Sequence, residues 1–154
     1  MKCIIVDDEP LAREVIASFV ERIDGLELVA SCDNAVKAFD LLKKESIELV
    51  FLDIQMPKLN GIDFLKVLNP LPKIIFTTAY REYAIESYEL DVVDYLLKPI
   101  SFQRFLMSVS KAMNGEPPVA MEDKQTDELR SDHPYIFLKS DRKMVKVYLK
   151  DILY

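Results

Sequence analysis

Glycine is scarce in this chain, three residues in 154, and none of the three belongs to a Gly-rich phosphate loop. Nucleotide binding is disfavoured on that ground. Histidine is scarcer still. The single one, His133, stands beside Pro134 in a polar stretch, a poor setting for a catalytic base. The two cysteines, Cys3 and Cys32, lack CxxC spacing, which argues against a zinc site or a disulfide framework and for buried, reduced thiols. No apolar run reaches membrane-spanning length. Met1-Lys2 leads straight into a strand-like segment rather than a signal peptide, so cytoplasmic residence with no membrane partner is the expectation.

What is present is strongly patterned. Half of the chain is hydrophobic and 30% charged, enough for one well-packed domain and a little more. Charge is uneven. Residues 135–154 carry five Lys/Arg against two Asp, a net of +3, which leaves −9 for the rest of a chain whose total is −6. An acidic body with a basic tail implies two units with different partners, without itself showing nucleic-acid binding.

Apolar, β-branched runs fall at 3–6, 26–30, 47–52, 73–77 and 92–97. Several are continuous, as parallel strands buried on both faces require. Helix-period stretches separate them. Residues 9–23 bring Leu11, Val15, Ile16, Phe19 and Ile23 towards one face, and 34–45 do so with Ala35, Ala38, Leu41 and Leu42 behind a cap at Asp33 or Asn34. Residues 60–68 and 101–114 follow suit, the latter capped by Ser101, while 82–90 is the weakest helix. Five strands alternating with five helices predict a doubly wound α/β sheet of right-handed βαβ units. Residues 115–133 (GEPPVAMEDKQTDELRSDH) read as a linker, and "YIFLKSDRKMVKVYL" as a β-hairpin. The pattern is still running at Tyr154, so 134–154 are expected to open a second domain.

In open parallel sheets ligands bind beyond the carboxyl ends of the strands. Asp7 and Asp8 follow the first strand, Asp53 ends the third, Thr77-Thr78 the fourth, and Lys98-Pro99 follow the fifth. Each has an ordinary explanation. Asp8 serves as a helix N-cap ahead of Pro10, Asp53 opens a turn, the threonines suit a strand end, and Lys98 is solvated. Together they also fit one chemistry. Carboxylates suit Mg²⁺, an aspartate can take up a phosphoryl group as an acyl phosphate, and a lysine and a threonine can hold its oxygens.

With those residues assembled, "IIVDDEP", "LVFLDIQMPKLNG", "IIFTTAY" and "DYLLKPI" resemble, in order, the four signatures of response regulator receiver domains, over residues 1–114. The resemblance implies a flavodoxin-like (βα)5 sheet of strand order 2-1-3-4-5. It implies that Asp53 accepts a phosphoryl group from the phosphohistidine of a sensor histidine kinase. Mg²⁺ would be held by Asp8, Asp53 and the backbone carbonyl of Gln55, with Asp7 acting through water. Thr78 matches the switch hydroxyl and Tyr95 the switch aromatic, although Tyr95 also reads as a half-buried strand tyrosine. Lys98 would bind a phosphoryl oxygen, and its bond to Pro99 would be cis. Such a domain is a switch that catalyses only its own phosphorylation and dephosphorylation. It homodimerises or signals through the face made by the fourth helical stretch, the fifth strand and the fifth helical stretch.

The tail, "PYIFLKSDRKMVKVYLKDILY", resembles the start of a LytTR-type DNA-binding domain, and "TTAYREYAIESYE" suits receivers of the LytR/AlgR type. The implied whole is a transcription regulator whose DNA contacts lie beyond Tyr154. A receiver with a protein output is the alternative. An aspartyl-phosphate phosphatase or mutase fits poorly, because Asp53 is followed by Ile54-Gln55 and no DxD motif stands on the first strand. Tyr80, Tyr83 and Tyr88 cluster around the weak fourth helix, as an interface patch or as packing.

Overall fold

The computed structural model describes residues 1–83 and 90–115 and, as backbone, two strands between 135 and 148. Strands β1 (Lys2–Val6), β2 (Glu27–Cys32), β3 (Leu49–Asp53), β4 (Lys73–Thr78) and β5 (Asp94–Leu97) form one sheet, every neighbouring pair parallel, in the order β2-β1-β3-β4-β5. Helices α1 (Pro10–Glu21), α2 (Ala35–Lys44), α3 (Gly61–Val67) and α4 (Phe102–Asn114) accompany it. This is the doubly wound sheet that the alternating pattern predicts, in the flavodoxin-like strand order that the family resemblance implies. Of the helix expected over 82–90, residues 84–89 lie outside the described residues, as does Tyr88.

The continuous apolar runs are explained by two cores, one on each face of the sheet. Alternate residues of a strand point to opposite faces, so a strand covered on both sides has no polar position to spare. Ile4, Val6, Val50, Leu52, Ile74 and Phe76 pack on one face with Ala35 and Ala38 of α2 and Phe64 and Leu65 of α3. Cys3, Ile5, Leu49, Phe51, Ile75 and Leu96 pack on the other with Ile16 and Val20 of α1 and Phe105, Val109 and Ala112 of α4. Each buried Val, Leu, Ile or Phe side chain among them contributes roughly 1.5–3 kcal/mol by leaving water. The Phe51 and Phe105 rings stack with centroids 5.0 Å apart, and Phe19 tilts against Phe105 at 5.4 Å. Both cysteines are free and buried. Burial pushes the Cys3 thiol up to about 11 and raises Cys32 as well, which makes them poor nucleophiles.

Helix ends follow local chemistry. The Asn34 side chain caps α2 by accepting from Lys37 N–H at 2.9 Å, and Ser101 caps α4 by accepting from Arg104 N–H at 3.2 Å. Gly115 closes α4 at φ 63°, a left-handed turn that a glycine makes without strain. Two sequence readings of α1 need correction. Glu9, not Asp8, is the N-cap, and it makes no side-chain cap bond, with Pro10 at the first helical position. The buried stripe runs through Ile16 and Val20, while Leu11 is 69% exposed. Nine residues at about 100° each place Leu11 half a turn from Val20, so a stripe centred on one excludes the other.

Residues 121–154 form a separate unit. Within it β6 (Tyr135–Ser140) and β7 (Lys143–Tyr148) pair antiparallel, Tyr135 opposite Tyr148 and Ser140 opposite Lys143. The stretch read as a linker lies, from 116 to 133, outside the described residues.

Candidate functional site

The parallel strands end in register, Val6 opposite Leu52, Asp53 opposite Thr77 and Thr78 opposite Leu97, so the residues at or just past the ends of β1, β3, β4 and β5 share one edge of the sheet. β1 is flanked by β2 and β3, and its last residue, Val6, pairs with Cys32 and with Leu52. That register delivers Asp7 beside the end of β3. Asp7 N–H then bonds the Cys32 carbonyl at 3.0 Å, extending the ladder by one step. Asp7 and Asp53 are buried and Asp8 is exposed, and one carboxylate oxygen of each can be chosen so that all three lie within 4.8 Å of one another.

Lys98 closes the group from β5. Its ammonium lies 2.8 Å from Asp7 Oδ2, 3.5 Å from Glu9 Oε2 and 3.7 Å from Asp53 Oδ1. Its backbone N–H bonds the Thr78 carbonyl at 2.7 Å, which ties the lysine to the end of β4. The peptide bond that follows it, to Pro99, is cis, as is Asn69–Pro70. Burial pushes the Asp53 carboxyl up to about 7, with the Asp7 charge adding to the rise and Lys98 opposing it. Burial alone would lower Lys98, but its hydrogen bond to Asp7 and the charges of Asp53 and Asp7 raise it above the ordinary lysine value.

The loop after β3 is fixed from several sides. Ile54 N–H bonds the Thr77 carbonyl at 3.1 Å, and Gly61 N–H bonds the Ile54 carbonyl at 2.8 Å. Gln55 N–H points at Asp53 Oδ1, 3.4 Å away, and its side-chain amide donates to the Tyr83 hydroxyl at 3.1 Å. Lys58 holds a left-handed φ of 72°. Gly61 has a steric duty beyond the turn, because a Cβ there would sit 2.3 Å from the Asp53 carbonyl oxygen.

Both threonines are buried at the end of β4. Thr78 Oγ1 accepts from Tyr80 N–H at 3.2 Å, and Thr77 Oγ1 has no hydrogen-bond partner among the described residues. The Tyr95 hydroxyl donates to the Tyr80 carbonyl, and the Tyr95 ring packs on the face that holds α2 and α3.

The structure therefore gathers Asp7, Asp8, Asp53 and Lys98 at one point, with Thr78 and Gln55 at its border and Tyr95 one step further out. Sequence reasoning passed over Glu9 as a partner of Lys98. It also passed over Arg13, whose Nη1 donates to the Asp7 carbonyl at 2.7 Å, and Tyr83 as the partner of Gln55. It missed a half-buried cluster behind β5 as well. Asp94 accepts two bonds from Arg104, at 2.7 and 2.9 Å, and others from Ser108 and Lys111, while Arg104 also donates to the Tyr95 carbonyl. An aspartate directly before a strand tyrosine carried no signal by itself.

A five-stranded 2-1-3-4-5 sheet with an acidic cluster and a lysine at its carboxyl edge defines a class of signalling receiver. The family model "Response regulator receiver domain" matches residues 3–110, and the chain belongs to that family. An uncharacterized response regulatory protein of Shewanella oneidensis is 40% identical over 121 residues, 77% of this chain and 51% of that protein. The transcriptional regulatory protein BtsR of Escherichia coli K12 is 42% identical over 113 residues, 72% of this chain and 47% of BtsR. The chain thus spans about half the length of these curated relatives. Among solved structures, the response regulatory domain of protein mrkE from Klebsiella pneumoniae superposes with a TM-score of 0.68 at 32% identity, over 75% of this chain and 97% of that one. The chain carries the receiver domain of a two-component response regulator. Among the described residues, no helix is long and apolar enough to cross a membrane.

Proposed function

We propose that Asp53 is the phosphoacceptor of this receiver and that it takes its phosphoryl group from the phosphohistidine of a sensor histidine kinase. The observation that carries the reading is the convergence of Asp7, Asp8, Asp53 and Lys98. Three carboxylates held this close repel one another unless a cation stands among them, and Lys98 supplies only one positive charge. An all-oxygen donor set with an exposed member suits Mg²⁺, which takes few carboxylates and keeps several waters. Asp8, Asp53 and the Gln55 carbonyl would hold it directly, and Asp7 through water. When bound, the ion neutralises charge on the phosphoryl oxygens.

In the transfer, an Asp53 carboxylate oxygen attacks phosphorus, the bond from phosphorus to the histidine nitrogen breaks, and the imidazole leaves with the electron pair. The phosphoryl group brings about −1.5 to −2 charges to a buried site. Lys98 is already within reach to take one of its oxygens. The Thr78 hydroxyl binds another by giving up the Tyr80 N–H, and the Tyr95 ring turns inward as that segment moves. The receiver is a switch rather than a turnover enzyme.

Residues 1–114 form the receiver and 115–133 the linker. Residues 134–154 belong to the start of a LytTR-type DNA-binding domain, a reading supported by the antiparallel pairing of β6 with β7 and by BtsR's designation as a transcriptional regulatory protein. Phosphorylation promotes homodimerisation through the face that includes β5 and α4, and the protein works in the cytoplasm. The test is intact-mass measurement after incubation with acetyl phosphate and Mg²⁺. One added phosphoryl group is expected in the parent chain and none in Asp53→Asn, whereas full labelling of Asp53→Asn overturns the assignment.

A further inference from the structure

We infer that Tyr83 is a positioning residue of the phosphoacceptor site, holding through its hydroxyl the loop that presents Gln55 to the metal. The inference rests on the metal and phosphoacceptor reading above and adds a residue 28 positions from Gln55 in sequence.

Gln55 is exposed, yet it is held at two points. Its backbone N–H faces Asp53 Oδ1 at 3.4 Å and its side-chain amide donates to the Tyr83 hydroxyl at 3.1 Å. Two anchors on one residue, the backbone N–H on one side of Cα and the side chain on another, hold the Cα in place. The Gln55 carbonyl leaves that Cα with a single free dihedral, ψ, to set where it points. Residues with a long, exposed side chain lose rotamer freedom when they are held, so such a bond persists only against a rigid partner.

Tyr83 provides that rigidity. Its ring is half-buried and packs against the core shared with α2 and α3, which leaves only the hydroxyl end free to reach Gln55. The Tyr80 ring meets it edge-on, with centroids 6.2 Å apart and planes at 89°, an arrangement aromatic pairs favour. Tyr80 is in turn tied to Thr78 Oγ1 by its N–H and to the Tyr95 hydroxyl by its carbonyl. The loop after β3 and the segment after β4 are therefore joined across the mouth of the site by one side-chain bond. A change in either is felt by the other, and the coupling runs equally in both directions.

The test uses the full 154-residue chain with Tyr83→Phe, Gln55→Leu and the double variant. Phenylalanine keeps the packing and the ring contact and removes only the hydroxyl. Mg²⁺ affinity is read from tyrosine emission, which no tryptophan obscures. Each single variant is expected to weaken Mg²⁺ binding about two- to fivefold, the low end for one hydrogen bond because this one is open to water. The double variant is expected to be no weaker than the weaker single. For Tyr83→Phe, the Mg²⁺ concentration that gives half-maximal phosphoryl uptake from acetyl phosphate is expected to rise in parallel with the weaker affinity, and amide exchange over residues 54–60 to quicken. Unchanged affinity and exchange, or single effects that multiply in the double variant, overturn the inference. A parent chain that binds Mg²⁺ but takes no phosphoryl group defeats the phosphoacceptor reading alone, because affinity and exchange still judge Tyr83. A parent that binds no Mg²⁺ overturns both.

Discussion

The Lys98 ammonium lies closer to Asp7 than to Asp53, 2.8 Å against 3.7 Å, although the two bonded residues are 91 positions apart. Asp7 is buried and Lys98 nearly so, so the pair is partly withdrawn from water. Removing one partner of such a pair leaves the other charged and uncompensated.

Lys98→Met, which keeps length and removes charge, is expected to destabilise the metal-free protein by about 2–3 kcal/mol, below the figure for a fully buried pair because Lys98 retains some water. Millimolar Mg²⁺ should recover more stability in the variant than in the parent, since it supplies the charge the lysine no longer does. Urea unfolding midpoints with and without Mg²⁺ measure both effects. Equal midpoints in the absence of metal would contradict the pairing.

Gly61 and Gly115 offer a comparison of two reasons for glycine. A methyl at Gly61 meets the Asp53 carbonyl oxygen at 2.3 Å, a backbone atom that cannot swing aside. At Gly115 a methyl meets nothing within 4 Å, and only the left-handed φ is strained. Gly61→Ala is expected to cost about 1–3 kcal/mol through overpacking and also to slow phosphoryl uptake, because the atom displaced belongs to Asp53. Gly115→Ala should cost about 1 kcal/mol through backbone strain and leave uptake unaltered. Thermal unfolding and intact-mass time courses separate the two. A normal uptake rate in Gly61→Ala would count against the close approach.

Asp94 makes stability depend on acid. Burial raises its carboxyl, but the bidentate Arg104, the Ser108 hydroxyl and Lys111 outweigh burial and bring it from an ordinary 3.8 down to about 2. A carboxyl depressed in the folded state binds fewer protons there than in the unfolded chain. Its contribution is therefore full above about pH 4 and is lost as pH falls towards 2, with a total of about 2 kcal/mol. The stability gap between the parent and Asp94→Asn is expected to be widest near pH 6 and to narrow through that window. Urea midpoints taken at intervals from pH 6 to 2.5 follow it, and a gap that stays constant speaks against the assignment.

Much of this fold was legible because the sheet is covered on both faces. Runs such as CIIV and LVFL have no other simple use, and they fix where the strands end. Once the ends are known, Asp7, Asp8, Asp53 and Lys98 fall together by topology alone, with no side-chain detail required. The misread features depend on rotation or on contacts between loops. Leu11 fits an apolar stripe by spacing, but the stripe that packs is centred on Val20, half a turn away. Asp8 looks like a cap, yet the chain enters α1 one residue later. Arg13, Tyr83 and the Asp94 cluster are bonds between side chains whose partners lie across the fold, and residue type alone does not announce them. The Asp53 carbonyl for which Gly61 makes room is likewise a contact that residue type does not announce.

The sheet order gives the site a stiff wall and a compliant one. On one side stand the ends of β1 and β3, interior strands locked by ladder bonds to neighbours on both flanks. On the other stand Thr78 at the end of β4, Tyr80 just beyond it, and a β5 of only four residues at the edge of the sheet, with Tyr80 hydrogen-bonded to Thr78 and to Tyr95. If Asp53 takes up a phosphoryl group as proposed, the new charge meets the stiff wall on one side, and displacement is expected in the compliant one. On that reading a direction of recoil is set by strand order before any particular switch residue is considered.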